Sequence, residues 1–260
     1  MIHCGFNTFP VKVTSDIDPL RSLFHTPLPS ILDTNKRSFL ASKNTDSGTF
    51  KIESVAHSFS SDCENELMLE KKHAIKKQTI LIVADVDSLV FIEVTRAAVV
   101  KKISIPGAKG LNDVALDKRG NVFVTDSKTK KIHMIGIAKL DVETYVEGLE
   151  EPNGITVSDK TIYFVDGDGF YKLDKDKEKI LIAKGLEGSP DGIEQIDDET
   201  FLVSCISGMI WQIKLNGEKK LLIDTTKDSI GAADIGYDKK NKILYVPTFW
   251  KNVVTAYQMK

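Results

Sequence analysis

Short apolar runs with strand character recur along this chain, each closed by a small or acidic residue. They are SFLAS ending at Ser42, ILIVAD at Asp85, NVFVTD at Asp126, IYFVD at Asp166, FLVS at Ser204 and LYVP at Pro247. The steps between these end points are 43, 41, 40, 38 and 43 residues. Each period divides again into short β-prone pieces separated by turn residues. One period reads NGITVS, TIYFVDG, GFYKLDK, EKILIAK; the next reads DGIEQID, TFLVSCIS, MIWQIKL, KKLLIDT. Four strands in a repeat of about 40 residues is the pattern of a β-propeller blade. The spacing therefore predicts an all-β, six-bladed propeller with four antiparallel strands per blade.

The last repeat reads ADIGYD, ILYVPTF, NVVTAYQM and stops at Lys260 without a fourth strand. A ring has to close, because an open edge leaves backbone donors and acceptors unpaired. The segment Phe9–Ser15, FPVKVTS, belongs to no repeat and is expected to supply the missing strand. The chain then forms a single domain over residues 1–260, with irregular blades over about 16–105 and regular repeats over about 106–260. The irregular part holds the two best helix candidates, Ser15–Phe24 and Glu64–Lys77. It also places KKHAIKKQ, with its four lysines, in the slot of a buried inner strand. A solvated loop or helix suits that segment better.

Composition narrows the function. The 260 residues carry a net charge of −2, with 42% hydrophobic and 28% charged residues. Such a chain can bury a core and is not a disordered one. It has no basic excess for a nucleic-acid partner, no apolar run long enough to cross a membrane as a helix, and no pattern of a secretory signal at its start. Cys4, Cys63 and Cys205 form no CxxC and fit a reducing compartment better than a disulfide framework. The expectation is a cytoplasmic protein that acts on a small molecule, with neither nucleic acid nor membrane as partner.

A second anchor opens the first strand of the regular blades, 13 or 14 residues before each apolar end point. It is Asn112 in GLNDVALD, Asn153 in EPNGITV, Asp191 in SPDGIEQ and Asp234 in GAADIGY. Equivalent positions of successive blades encircle the channel, so these oxygen-bearing side chains are expected to converge on one axial point, a site that suits a hard cation such as calcium. Asn-Gly and Asp-Gly are also ordinary turn sequences. Recurrence in one register balances the two readings.

At these residues the chain resembles the senescence marker protein/gluconolactonase family, which includes regucalcin and lies near the paraoxonases. The resemblance rests on GLNDVALDKRGNVFVTDS, EPNGITV, SPDGIEQ and ADIGYDKKNKILYVPTFWKNVVTAY, and covers about Ile80 to Lys260. It implies a six-bladed propeller with a divalent cation, usually calcium, in the channel. It implies that Asn153 and Asp191 are metal ligands, that Asn112 lies on the substrate side, and that Asp191 is the catalytic base. By its spacing, Asp234 is expected as an additional channel residue. The family pattern also asks for a glutamate in blade 1. The matching position here is Pro29, and the next blade offers Lys72. Both departures predict weak cation binding and low activity.

Two functions follow from different classes. One is a cation-dependent hydrolase of a lactone or ester; the alternative is a non-catalytic propeller that binds a small ligand or a protein at the channel face. A third reading is an interaction scaffold of the NHL or WD40 kind, and the absence of the Gly-His and Trp-Asp signatures weighs against WD40. The aspartate-rich VDGDGFYKLDKDKE lacks the EF-hand order and predicts hairpin turns. His3, His25, His57, His73 and His133 show no metal-ligand spacing. Cys205, Trp211 and Trp250 are expected to pack.

Overall fold

The second strand of a blade is covered on both faces by neighbouring blades, and its sequence is accordingly a continuous apolar run rather than an alternation. The computed structural model, which describes residues 11–13, 41–43, 50–52, 79–136, 139–249 and 251–259, shows this directly. The elements are β1 (Val11–Val13), β2 (Ala41–Lys43), β3 (Phe50–Ile52), β4 (Ile80–Asp85), β5 (Ser88–Glu93), β6 (Ala98–Ser104) and β7 (Leu111–Leu116). There follow β8 (Val122–Asp126), β9 (Lys131–Gly136), β10 (Asp141–Val146), β11 (Pro152–Ser158), β12 (Thr161–Asp166), β13 (Gly169–Leu173) and β14 (Lys179–Ala183). The last are β15 (Pro190–Gln195), β16 (Thr200–Cys205), β17 (Met209–Lys214), β18 (Lys219–Asp224), β19 (Gly236–Asp238), β20 (Ile243–Thr248) and β21 (Val253–Gln258). Every residue of β8 and of β16 is buried.

Consecutive strands pair into separate sheets: β4–β6, β7–β10, β11–β14, β15–β18, and β19–β21 with β1 on its outer edge. Five blade-like sheets therefore stand among the described residues, and β2 and β3 form a two-stranded hairpin of their own. β4 takes the place of a second strand, so the inner strand of its sheet would fall on KKHAIKKQ; that segment, both helix candidates, Pro29 and Trp250 lie outside the described residues.

Period-two alternation sends side chains of each second strand into two different layers. Val122 and Val124 of β8 pack toward β4–β6, while Phe123 packs toward β11–β14. Ile162 and Phe164 of β12 face back, and Tyr163 and Val165 face forward. Leu202 of β16 meets Leu244 and Val246 of β20. Aromatic rings bridge the third layer, with Tyr163 and Phe201 centroids 4.6 Å apart. Each layer belongs to two sheets, so no described blade has a core of its own. Trp211 and Cys205 pack in one of these layers, as expected.

Outer strands read differently. β18 is KKLLID and β6 is AVVKKIS, with lysines along the solvent edge. Lysine on an edge strand discourages pairing with another chain. Hairpin turns follow one design, in which an aspartate after a strand accepts amides two to four residues on. Asp117 Oδ1 takes Arg119 N and Asn121 N, Asp174 Oδ1 takes Asp176 N and Glu178 N, and Asp238 Oδ1 takes Lys240 N and Asn241 N. The aspartate-rich segment is thus a pair of hairpin turns.

Two expectations are corrected. The N-terminal strand does complete the last sheet, as Val11–Val13, but β1 runs parallel to β21, with Val11 opposite Val254. The sheet is therefore not antiparallel throughout, since the free edge of β21 can satisfy its backbone groups with a short strand of either direction. The repeat position in β16 is Cys205, one residue beyond Ser204. Pro190 pairs with Cys205 as Leu111 pairs with Asp126 and Pro152 with Asp166.

The recurring acidic end point is a structural anchor. Asp166 has 0% exposure; its Oδ1 accepts the amides of Glu150 at 2.8 Å and Glu151 at 2.6 Å, and its Oδ2 accepts Lys179 Nζ at 2.7 Å. Asp126 accepts the amides of Lys109, Lys128 and Thr129. Burial raises the Asp126 pKa, but the donations from Thr129, Lys109 and Lys128 outweigh it and hold the carboxyl below its ordinary value. Each carboxylate fixes the loop that leads into the inner strand of its own sheet.

Asp166 and the half-buried Glu194 each give a prediction. Replacing Asp166 by Ala strands two loop amides and the Lys179 ammonium, and should cost about 3 kcal/mol in urea unfolding, with Asp166→Asn costing less. Glu194 of β15 is pushed up to about 8, first by burial and then by Asp234, against an amide donation from Tyr237 and the charge of Lys239. Its folded pKa lies above the unfolded one, so its contribution is fully present below the ordinary glutamate value of 4.5 and is lost as pH rises toward 8. Thermal melts from pH 5 to 9 should fall for the wild type more steeply than for Glu194→Gln.

Candidate functional site

Four inner strands carry the same irregularity at the same place. The register shifts by one residue between Leu111 and Val114 in β7, between Pro152 and Ile155 in β11, and between Pro190 and Ile193 in β15. The last sheet repeats the offset, since Ala233 N donates to Pro247 O at 3.3 Å before Gly236 pairs with Tyr245. Each shift is a β-bulge, a device that re-aims side chains. The bulges hold Asn112 and Asp113, Asn153 and Gly154, Asp191 and Gly192, and the segment just before β19 holds Ala233 and Asp234 in the matching places. Asn112, Asn153 and Asp191 thus occupy equivalent positions at one end of the inner strands. The expected fourth member is corrected: Ala233 holds that position and Asp234 lies one residue on, level with Asp113, Gly154 and Gly192, because the repeat position in β20 is Thr248 rather than Pro247. Asn-Gly and Asp-Gly are not turns here; they lie inside strands.

The glycines have a packing role. A Cβ on Gly154 would collide with the backbone oxygen of Asp191 in the next sheet, and one on Gly192 would come within 2.8 Å of the Asp234 Cα. Inner strands β11, β15 and the chain entering β19 therefore approach as closely as backbones can. That approach sets Asp191 against the Asn153–Gly154 bulge and Asp234 against the Asp191–Gly192 bulge.

Hydroxyl groups of the second strands tie neighbouring inner strands together. Thr125 Oγ1 accepts Asp113 N at 3.0 Å and donates to Asn153 O at 2.7 Å. Ser204 Oγ accepts Gly192 N at 2.9 Å and donates to Ala233 O at 2.7 Å. Ser127 Oγ accepts Asn112 Nδ2 at 3.0 Å and itself donates to Pro152 O at 2.5 Å. These links fix the inner-strand ends of neighbouring sheets to one another through backbone groups.

The ring side chains differ in how they are held. Asn153 Nδ2 donates to Pro190 O at 3.2 Å, while its Oδ1 is buried and meets no hydrogen-bond donor. A buried carboxamide oxygen without a donor costs roughly 1–3 kcal/mol unless a ligand satisfies it. Asp191 is 2% exposed. Among the described residues, no three His, Cys, Asp or Glu side chains gather into a metal-binding group. A cation at this ring would need carboxamide as well as carboxylate oxygens, the donor set that hard cations take.

Asp113 was not expected. Its Oδ2 accepts Ile155 N of the next sheet at 2.8 Å, and its Oδ1 accepts Val114 N at 2.7 Å. Burial pushes its pKa well up, Asp234 adds to that, the amides of Ile155 and Val114 oppose it, and Asp191 raises it further. The signal was present in the sequence: Asn112 is followed by aspartate, where Asn153 and Asp191 are followed by glycine. His133, the one histidine among the described residues, lies buried in β9 with its Nε2 3.9 Å from Asp126 Oδ2, away from the ring positions. Burial lowers its pKa.

Neither a protein-family model nor a curated protein matches the sequence. Solved structures do resemble the fold. A streptogramin B lyase structure aligns over 89% of this chain and 85% of its own at 14% identity, with a TM-score of 0.58. Virginiamycin B lyase from Staphylococcus aureus aligns over 72% and 68% at 16% identity, with a TM-score of 0.55. A nidogen/laminin complex aligns over 70% and 81% at 15% identity, with a TM-score of 0.54. At such identities the likeness establishes the architecture alone: this chain is a β-propeller.

Proposed function

We propose that the protein is a six-bladed propeller of the gluconolactonase-like kind, which holds a divalent cation, calcium by its ligand chemistry, at the channel end and presents it to a small lactone or ester. The observation that carries this reading is the buried Asn153 Oδ1, which lacks a donor and sits in the same register as Asp191. Asn153 and Asp191 are the ligands, with Asp234 beside them. Bound there, a cation would polarise a carbonyl oxygen. Asn112, its amide fixed by Ser127, orients the ligand from the neighbouring sheet. Asp191 is the carboxylate placed to take a proton from an attacking water. The hairpin β2–β3 belongs to the sixth blade in this reading, next to β19.

The alternative, a propeller that binds a ligand without transforming it, uses the same ring. The placement of His133 in β9 favours it over histidine-based acid–base chemistry, and leaves aspartate as the one candidate base at the described ring positions.

A thermal-shift titration tests the reading. Millimolar calcium should raise the wild-type melting temperature, with a gain that follows RT ln(1 + [L]/Kd). Asp191→Ala should show no calcium-dependent shift. An equal shift in both proteins would place any calcium away from the ring, and no shift in the wild type would end the cation reading.

A further inference from the structure

We propose, resting on the reading of the channel end as a site for a small lactone or ester, that Val86 is a specificity-determining residue there. It offers an apolar contact at the rim and so selects a ligand that carries an alkyl arm.

Placement comes first. Val86 directly follows Asp85, the end point of β4, and its carbonyl accepts the amide of Leu111, the residue before Asn112, at 2.9 Å. It therefore stands at the same end of the sheets as Asn112, Asn153 and Asp191. The other exposed large hydrophobic side chains among the described residues lie on the outermost strands β6, β14 and β18, or, as Val94 and Leu140, at turns of the opposite end. Val86, 51% exposed, is the one at the channel end, and it belongs to none of the apolar layers between the sheets.

Backbone conformation is independent of exposure. Val86 and Asp87 form a two-residue turn between β4 and β5, and Gly167 and Asp168 form its counterpart between β12 and β13. In both, the second turn residue accepts an amide from just beyond the outermost strand: Asp87 O takes Ile105 N and Asp168 O takes Leu186 N, each at 2.8 Å. The first residue is left-handed in both, with φ 58° at Gly167 and 35° at Val86. That region suits glycine and strains a β-branched side chain. Of the described non-glycine residues with positive φ, Val86 alone is β-branched. The Leu111 and Ile105 amides clamp the turn and hold the strain in place. Where the counterpart turn has glycine, the turn beside Asn112 thus has a solvent-facing valine that costs stability and packs in no layer. Strain of this kind gathers at ligand-binding positions.

The side chain decides the chemistry. Valine carries no hydrogen-bonding group, so it recognises hydrocarbon. The nearby ring positions Asn112, Asn153 and Asp191 carry amide and carboxylate groups instead. A ligand suited to both joins a polar reacting group, held by the ring, to an apolar arm laid on Val86, where both partners lose apolar surface to water.

Saturation-transfer NMR titrations with γ-valerolactone and γ-decalactone test the assignment on the full chain, since the two share a ring and differ in the length of the alkyl arm. Wild type should bind γ-decalactone about tenfold more tightly, the gain from burying about two of its extra methylenes. Val86→Thr keeps the β-branched shape but adds a hydroxyl, and should reduce the ratio to about twofold. Val86→Gly should reduce it likewise while melting at a higher temperature than wild type, because release of strain outweighs the freedom glycine adds to the unfolded chain. A valine with a merely structural role does not give that pair of results. Equal affinities for the two lactones in wild type, or an unchanged ratio in either variant, would overturn the assignment and leave the lactone site standing. A lower melting temperature in Val86→Gly would overturn it too, since the valine would then be packing. Undiminished binding of both lactones by Asn153→Ala would place them away from the ring, and binding of neither by wild type would leave the channel end without a lactone; either result overturns the site and the assignment together.

Discussion

Close approach of backbone to backbone at Gly154 and Gly192 is the constraint from which the rest of the molecule follows. In both places the next sheet's backbone occupies the space of a Cβ. Sheets pinned together at their inner strands can only fan outward, and the gaps between their faces must fill with side chains. The apolar layers do this, each shared by two sheets, with fully buried Phe164, Phe170 and Phe201 among them. Truncating one such ring in a shared layer typically costs about 3–5 kcal/mol, and here both flanking sheets would feel it. The pinning also brings the bulged residues of successive sheets to one end of the ring. Packing and site therefore have the same origin.

A second device holds the pinned ends in register. Buried Asp126 and Asp166 collect the amides of the loops that descend into β7 and β11. The next sheet replaces this carboxylate by Cys205, whose thiol burial pushes up to about 12. A neutral, inert thiol accepts loop amides poorly. That sheet keeps the hydroxyl link one residue earlier: Ser204 ties the Gly192 amide to the Ala233 carbonyl, as Thr125 ties the Asp113 amide to the Asn153 carbonyl beside Asp126.

The strand count of the regular blades was legible from the sequence because a strand buried on both faces cannot hide its pattern. NVFVTD, TIYFVD and TFLVSC are such strands, and their spacing carries the repeat. The recurrence of Asn112, Asn153 and Asp191 in one register was equally legible, and the structure places these three at equivalent positions, but Asp234 falls one residue beyond, and Ala233 takes the matching place. Less visible was why glycine follows two of them. Its role depends on the neighbouring sheet, which no local pattern encodes. The same blindness hid Asp113, whose partners lie in other blades, and displaced the repeat position from Cys205 to Ser204, since a serine and a cysteine both look like small strand residues. The direction of β1 was unreadable as well. A three-residue edge strand satisfies its neighbour in either orientation, and alternation does not tell the two apart.

Long-wavelength anomalous diffraction from crystals grown with calcium would test the central claim most directly. The account predicts a calcium peak on the channel axis, about 2.3–2.6 Å from Asn153 Oδ1 and from an Asp191 carboxylate oxygen. A strong peak at the aspartate-rich hairpin around Asp174, with none at the ring, would contradict it.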